Sequence, residues 1–243
     1  MAICLGVFLD SGNLKALVKM ARFSRIQVAL KMDETGMVPV FFHKDVAVAK
    51  QVLKACYDGG VRVFEFTNRG DYAHEIFGEL NKWAAVECPE MIIGVGSIVD
   101  AGTASLYIQL GANFVVAPLI NEEVAKTCNR RKVLWAPGCG SLTEISKAEE
   151  LGAEIVKVFP GAAVGGPGFV AAVKGPCPWT SIMPTGGVEP TEDSLSKWFK
   201  AGVTCVGLGS NLFPASVIEA KDWNAITKLC RNTLDIIQLF KKA

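Results

Sequence analysis

Lys157 occupies the middle of an apolar run, Glu154-Ile-Val-Lys-Val-Phe-Pro160. An ammonium among such neighbours loses its hydration, so it needs a partner, a neutral state or a function. A lysine that gives up its proton near neutral pH is a nucleophile for carbonyl carbon and forms imines. Glu65 repeats the anomaly, a charge between Phe64 and Phe66. Two readings compete. The pair is a structural ion pair in a core, which gives little net stability, or it is a lysine nucleophile with a carboxylate proton shuttle. Burial lowers a lysine's pKa and a neighbouring ionised Glu raises it, so the two influences on Lys157 oppose each other.

Arg69 follows Glu65 by four residues. A guanidinium holds a carboxylate through two parallel hydrogen bonds, which suits it to the acid end of a substrate; alone at a loop start it would more often be a solvated surface residue. Two glycine-rich stretches, Pro184-Thr-Gly-Gly-Val188 and Gly207-Leu-Gly-Ser210, carry a different chemistry. Glycine lets backbone N–H groups approach an anion closely, and helix N-termini favour negative charge, so these turns are candidate phosphate cradles rather than only tight connections. Gly94-Val-Gly-Ser97 taken alone reads as a turn, and His43 as a solvated loop histidine.

The elements that position these residues follow a repeat. Gly60-Val-Arg-Val-Phe, Gly111-Ala-Asn-Phe-Val, Gly152-Ala-Glu-Ile-Val and Gly202-Val-Thr-Cys-Val each follow a helix-like stretch and open a β-branched run. The glycine suits the left-handed residue that ends a helix, and the run a buried parallel strand. The intervals (60→111→152→202) each have room for two βα units, and partner strands are legible at Met91–Val95, Val133–Ala136 and Ser181–Met183. With Val38–Phe42 the count is eight. Helices are expected over Val46–Tyr57, Ala101–Leu110 and Ser141–Leu151, with N-caps at Asn121, Ser141 and Thr191. Strict alternation predicts an α/β chain with parallel strands, and eight units predict a closed (β/α)8 TIM barrel whose active site gathers where strands finish. A doubly wound sheet is the runner-up, but Phe41-Phe-His-Lys-Asp45 after the first strand lacks the glycine-rich dinucleotide turn. A helix within residues 20–37 is expected to cap the barrel floor, and residues 214–243 to supply the last helices.

Composition narrows the function classes. Half of the 243 residues are hydrophobic and the net charge is +1, which suits one large domain and argues against a basic nucleic-acid surface. No apolar run approaches a membrane span. The start meets Asp10 early and has no basic n-region, so it reads as neither signal peptide nor anchor. Met20 is a second plausible start, which makes residues 1–19 a peripheral extension of a single domain over residues 20–243. The eight cysteines are scattered without a Cys-x-x-Cys pair, as expected of reduced thiols in a cytoplasmic protein. His43 and His74, the only histidines, have no zinc-ligand spacing.

Together Gly60-Val-Arg-Val-Phe-Glu-Phe-Thr-Asn-Arg69, Lys157-Val-Phe-Pro160 and Pro184-Thr-Gly-Gly-Val188 resemble the 2-keto-3-deoxy-6-phosphogluconate (KDPG) and 4-hydroxy-2-oxoglutarate (KHG) aldolase family, from about Val38 to Pro214. The resemblance implies a class I aldolase, a homotrimer of (β/α)8 barrels that uses no metal or other cofactor and acts on a small keto-deoxy sugar acid. It implies Lys157 as Schiff-base lysine and Glu65 as acid/base. Arg69, Ser97 and Thr185 would hold the substrate carboxylate, Pro118 and Phe159 would line the pyruvyl pocket, and Gly186, Gly187, Gly209 and Ser210 would surround phosphate. Ser97 stands where a threonine is common. Leu208 stands where the family often has glycine and Asn211 where it has tryptophan, which predicts a reshaped phosphate loop. Asn68 and Gly70 depart from the usual apolar and hydroxyl residues beside Arg69. The rival expectations are a KHG aldolase, a phosphosugar isomerase or epimerase, and a non-catalytic phosphometabolite-binding barrel.

Overall fold

The computed structural model describes residues 21–241; the expected extension over residues 1–19 lies outside the described residues. Strands and helices alternate, and every strand pairing is parallel. Strands β1 (Met37–Phe41), β2 (Val63–Thr67), β3 (Ile92–Gly96), β4 (Phe114–Val116), β5 (Leu134–Ala136) and β9 (Val206–Leu208) form one sheet in the order β5-β4-β3-β2-β1-β9. Strands β6 (Gly138–Cys139), β7 (Val156–Val158) and β8 (Ile182–Pro184) form a second, in the order β6-β7-β8.

The expected fifth strand is thus divided. Pro137 has no N–H to donate, so pairing with β4 stops at Ala136 and pairing with β7 begins at Gly138. The Pro137 carbonyl still accepts from Lys157 N–H. At the opposite edge, Thr204 N–H donates to the Ile182 carbonyl and a bridge links Thr185 to Gly207.

The expected helices form nearly as read: α2 spans Val46–Asp58, α4 Ala101–Gln109 and α6 Leu142–Glu150. Asn121, Ser141 and Thr191 cap their helices with side-chain oxygens, as do Asp45 and Asp100. Gly60, Gly111, Gly152 and Gly202 have φ of +98°, +93°, +90° and +97°, the conformation in which a side chain is strained and glycine is not. The C-terminal segment forms α9 (Ala215–Glu219) and α10 (Trp223–Lys241), the latter packed on α2 and α8 (Glu192–Lys200).

Strand residues divide by alternation. Phe64, Phe66, Val95, Val156 and Val158 face the helices, within the larger apolar cluster. Val38, Val63, Ile92, Phe114, Leu134 and Met183 face inward with Val28 and Met32 of α1 (Arg25–Thr35). Helix α1 therefore closes the end where strands begin, as expected for the floor. Arg25 fastens it there, bonding Glu154, Asn129 and the Gly152 carbonyl. Apolar bulk fills the strand starts and leaves the strand ends for polar side chains.

Candidate active site

In β2 the same alternation that sends Phe64 and Phe66 outward turns Val63, Glu65 and Thr67 inward; in β7 it turns Lys157 inward between Val156 and Val158. Both charges are held by strands whose outer faces are pinned under helices. Lys157 is 5 % exposed and Glu65 is fully buried. Lys157 Nζ lies 4.9 Å from the centroid of the Phe159 ring, an electrostatically favourable seat for a cation. Among the described residues neither Glu65 oxygen has a hydrogen-bond partner. The structural ion pair weighed from the sequence is therefore not what holds Glu65. Burial pushes its carboxyl above the ordinary value, while Lys157 and Arg69 pull it the other way.

A cavity of about 470 Å³ opens over the strand ends. Its wall includes Arg69, Phe159, Thr185, Gly186, Gly187, Gly209 and Ser210, seven of the residues singled out from the sequence, on the ends of β2, β7, β8 and β9. Glu65, Lys157, Ser97 and Pro118 are not in that wall. Lys157 meets it through Phe159, and Ser97 reaches it through Arg69, whose Nε donates to Ser97 Oγ at 3.2 Å. Pro118 stands beside the lysine strand: its carbonyl packs so tightly on Gly138, the pairing partner of Lys157, that a Cβ on Gly138 would overlap it. Thr185 Oγ1 is buried without a partner among the described residues and lies directly over Gly207. Unpaired buried oxygens are costly and rare, and three of them (both from Glu65, one from Thr185) belong to this one site, as expected of groups that meet a polar ligand.

Leu208 is fully buried in β9, pairs with Pro39 and belongs to the outer apolar cluster. Its side chain packs toward the helices, away from the cavity that Gly209 and Ser210 line. Asn211 does line the cavity, and its Nδ2 donates to the Val188 carbonyl, tying the β9 turn to the β8 turn. His43 accepts from Asp45 N–H through Nδ1 and stacks on Phe41; it braces a turn.

Sequence reasoning missed Thr67 and the aromatic wall of Phe41, Phe42 and Phe213. Thr67 was within reach, since a period of two from Glu65 puts it on the same face. Phe213 had no such signal: its place against Phe41, ring centroids 4.9 Å apart, is made by tertiary packing. Among the described residues no group of His, Cys, Asp and Glu is arranged to hold a metal ion, and no helix is long and apolar enough to cross a membrane.

Comparison with known proteins gives a consistent assignment. The family model for KDPG and KHG aldolase matches residues 28–229. A 2-dehydro-3-deoxy-phosphogluconate aldolase of Pseudoalteromonas atlantica is 34% identical over 198 residues, 82% of this chain and 89% of the relative. The KHG/KDPG aldolase of Escherichia coli K12 is 32% identical over 199 residues, 82% of this chain and 91% of the relative. Among solved structures, KDPG aldolase from Legionella pneumophila, with pyruvate captured at low pH as a covalent carbinolamine, superposes with a TM-score of 0.77 at 27% identity, covering 84% of this chain and 97% of that one. A lysine and a glutamate buried on inward strand faces, a cavity lined by residues that follow them on the same strands, and these matches agree: the chain belongs to the KDPG and KHG aldolase family.

Proposed function

We propose that this protein is a class I aldolase that cleaves a 2-keto-3-deoxy sugar acid, 2-dehydro-3-deoxy-6-phosphogluconate, to pyruvate and glyceraldehyde 3-phosphate through an imine on Lys157. The observation that carries the reading is Lys157 itself, buried against Phe159, a wall residue of a substrate-sized cavity. The related Legionella enzyme was captured as a pyruvate carbinolamine, the adduct that such a lysine forms.

Lys157 Nζ, on giving up its proton, attacks the C2 ketone, and loss of water leaves a protonated imine. Glu65 takes the C4 hydroxyl proton, the C3–C4 bond breaks, and its electrons flow into the imine to give an enamine. The aldehyde departs. The enamine takes a proton at C3, and water hydrolyses the imine to release pyruvate and free Lys157. Burial favours the protonated form of Glu65 and the two cations favour the carboxylate, which suits a group that must accept a proton and return it.

In this reading Arg69, Ser97 and Thr185 hold the carboxylate, Pro118 and Phe159 wall the pyruvyl moiety, and Gly186, Gly187, Gly209 and Ser210 receive phosphate. Holding both substrate ends over one amine confines cleavage to one bond. The name of the E. coli relative includes KHG, which makes 4-hydroxy-2-oxoglutarate the second substrate to assay.

We further propose that the two sheets act as one closed (β/α)8 barrel, supported by the run-through at Pro137 and the Thr185–Gly207 bridge. Residues 20–243 are then one domain. A homotrimer is proposed from the family, with exposed Val99, Leu106, Leu119 and Leu142 as apolar surface for contact; sedimentation tests it. The seven described cysteines are all free, which supports a reducing, cytoplasmic setting.

The deciding experiment is reduction with borohydride in the presence of pyruvate, followed by peptide mapping. A reduced adduct on Lys157, lost in Lys157→Met, is expected. Folded protein that carries no adduct at Lys157 overturns the mechanism.

A further inference from the structure

Asn68 sits between the last residue of β2 and Arg69, where the family pattern places an apolar side chain. Its backbone N–H donates to the Gly96 carbonyl at 2.8 Å. Its Oδ1 accepts the hydroxyl of Tyr107 at 2.9 Å. Tyr107 belongs to α4 and is fully buried, edge-on to Phe77 with ring centroids 5.1 Å apart. Burial pushes its phenol up to about 12, so the hydroxyl keeps its proton and donates. A buried phenol needs an acceptor, and Asn68 Oδ1 is the one it has. Residue 68 is therefore held from two directions, by the β3 backbone and by α4, immediately before the chain turns to present Arg69. Arg69 itself is exposed, and among the described residues the one hydrogen bond that fixes its guanidinium, from Nε to Ser97 Oγ, spans 3.2 Å.

We propose that Asn68, locked by Tyr107, is a positioning residue that sets Arg69 for the substrate carboxylate. The proposal rests on the reading of Arg69 as the carboxylate-binding group. Its ligand is the one already assigned to the site. The new element is a polar clamp from the α4 helix to the β2 turn, which tunes how tightly the keto acid is held without touching the reacting atoms. Tyr107→Phe removes the donor while retaining the ring that packs on Phe77, and half-buried Asn68 remains free to bond water. Asn68→Leu removes the acceptor.

The test measures KM and kcat for keto-acid cleavage, the pyruvate concentration that half-saturates borohydride trapping, and Tm, in Tyr107→Phe, Asn68→Leu, the double variant and Arg69→Ala. The expected result for Tyr107→Phe is a rise in KM and in half-saturating pyruvate of about threefold to tenfold, the scale of one hydrogen bond, with kcat within about twofold. The double variant should be no worse in KM than Asn68→Leu alone, because both remove one interaction. If Arg69→Ala raises KM while Tyr107→Phe lowers only Tm or kcat, the clamp is merely structural and the proposal is overturned. If Arg69→Ala leaves both KM and trapping unchanged, the reading of Arg69 fails and takes the proposal with it.

Discussion

Gly96 and Glu65 lie on adjacent strands so close together that a Cβ on Gly96 would overlap Glu65 Oε1. The bare backbone at Gly96 thus gives the buried carboxylate the space in which it points. Gly96→Ala should displace Glu65 without changing its chemistry. Cleavage is expected to fall roughly 100-fold, the lower range of a lost general acid/base, while Lys157 still forms a trappable pyruvate adduct. Single-turnover cleavage and borohydride trapping measured on the same preparation check this. Equal loss of both would mean that the substitution disrupts the whole site and not Glu65 alone.

Glu65→Gln makes a prediction about stability with a definite sign. The folded-state pKa of Glu65 is raised above 4.5 by burial, so above that value the folded protein retains a proton that the unfolded chain has released. Stability from this group is complete below about pH 4.5 and declines as pH rises through the raised value. Glutamine has no proton to lose. Thermal melts from about pH 4 to pH 8 should show the variant gaining on the parent as pH rises, even though its cleavage rate falls. A difference in Tm that stays flat across this range would remove Glu65 as a buried titrating group.

Leu208 separates stability from substrate binding. Since it packs outward among apolar side chains, Leu208→Ala leaves a cavity in the helix layer and should cost about 2–5 kcal/mol. The KM for a phosphorylated keto acid should change less than about twofold, because the turn backbone at Gly209 and Ser210 is untouched. Denaturant titration together with steady-state assays tests both halves; a large KM shift with unchanged stability would assign Leu208 to substrate binding.

Legibility in the sequence followed the range of the interaction. The repeat glycines were readable because the left-handed end of a helix and the strand after it are settled within a few residues, and all four adopt positive φ. Lys157, Glu65 and the glycine turns stood out as candidates because a charge in an apolar strand, or paired glycines at a strand end, departs from a local rule. Leu208 was noted for its family position, and the two-residue period of β9 sends it to the opposite face from Gly207. The division at Pro137 was foreseeable from its missing N–H, but which neighbour each half would join was not, because that depends on how the strands close on one another. The Tyr107 to Asn68 bond joins residues 39 apart in sequence, and neither type nor spacing announces it.

Thr185 offers the sharpest distinction between a group kept for folding and one kept for substrate. Its Oγ1 is buried without a partner among the described residues, so burial of the hydroxyl costs desolvation that no bond from those residues offsets. A structural threonine would lose stability when the hydroxyl is removed; this one should not. Thr185→Val keeps the branched shape over Gly207, where an overlap with any Cβ shows how closely the two residues pack. Tm is expected to hold or rise, and KM for the keto acid to increase about tenfold, the scale of one hydrogen bond to a charged group. Calorimetry and steady-state kinetics on the same variant decide it. A fall in Tm with unchanged KM would assign the hydroxyl to the fold and leave the carboxylate to Arg69 and Ser97.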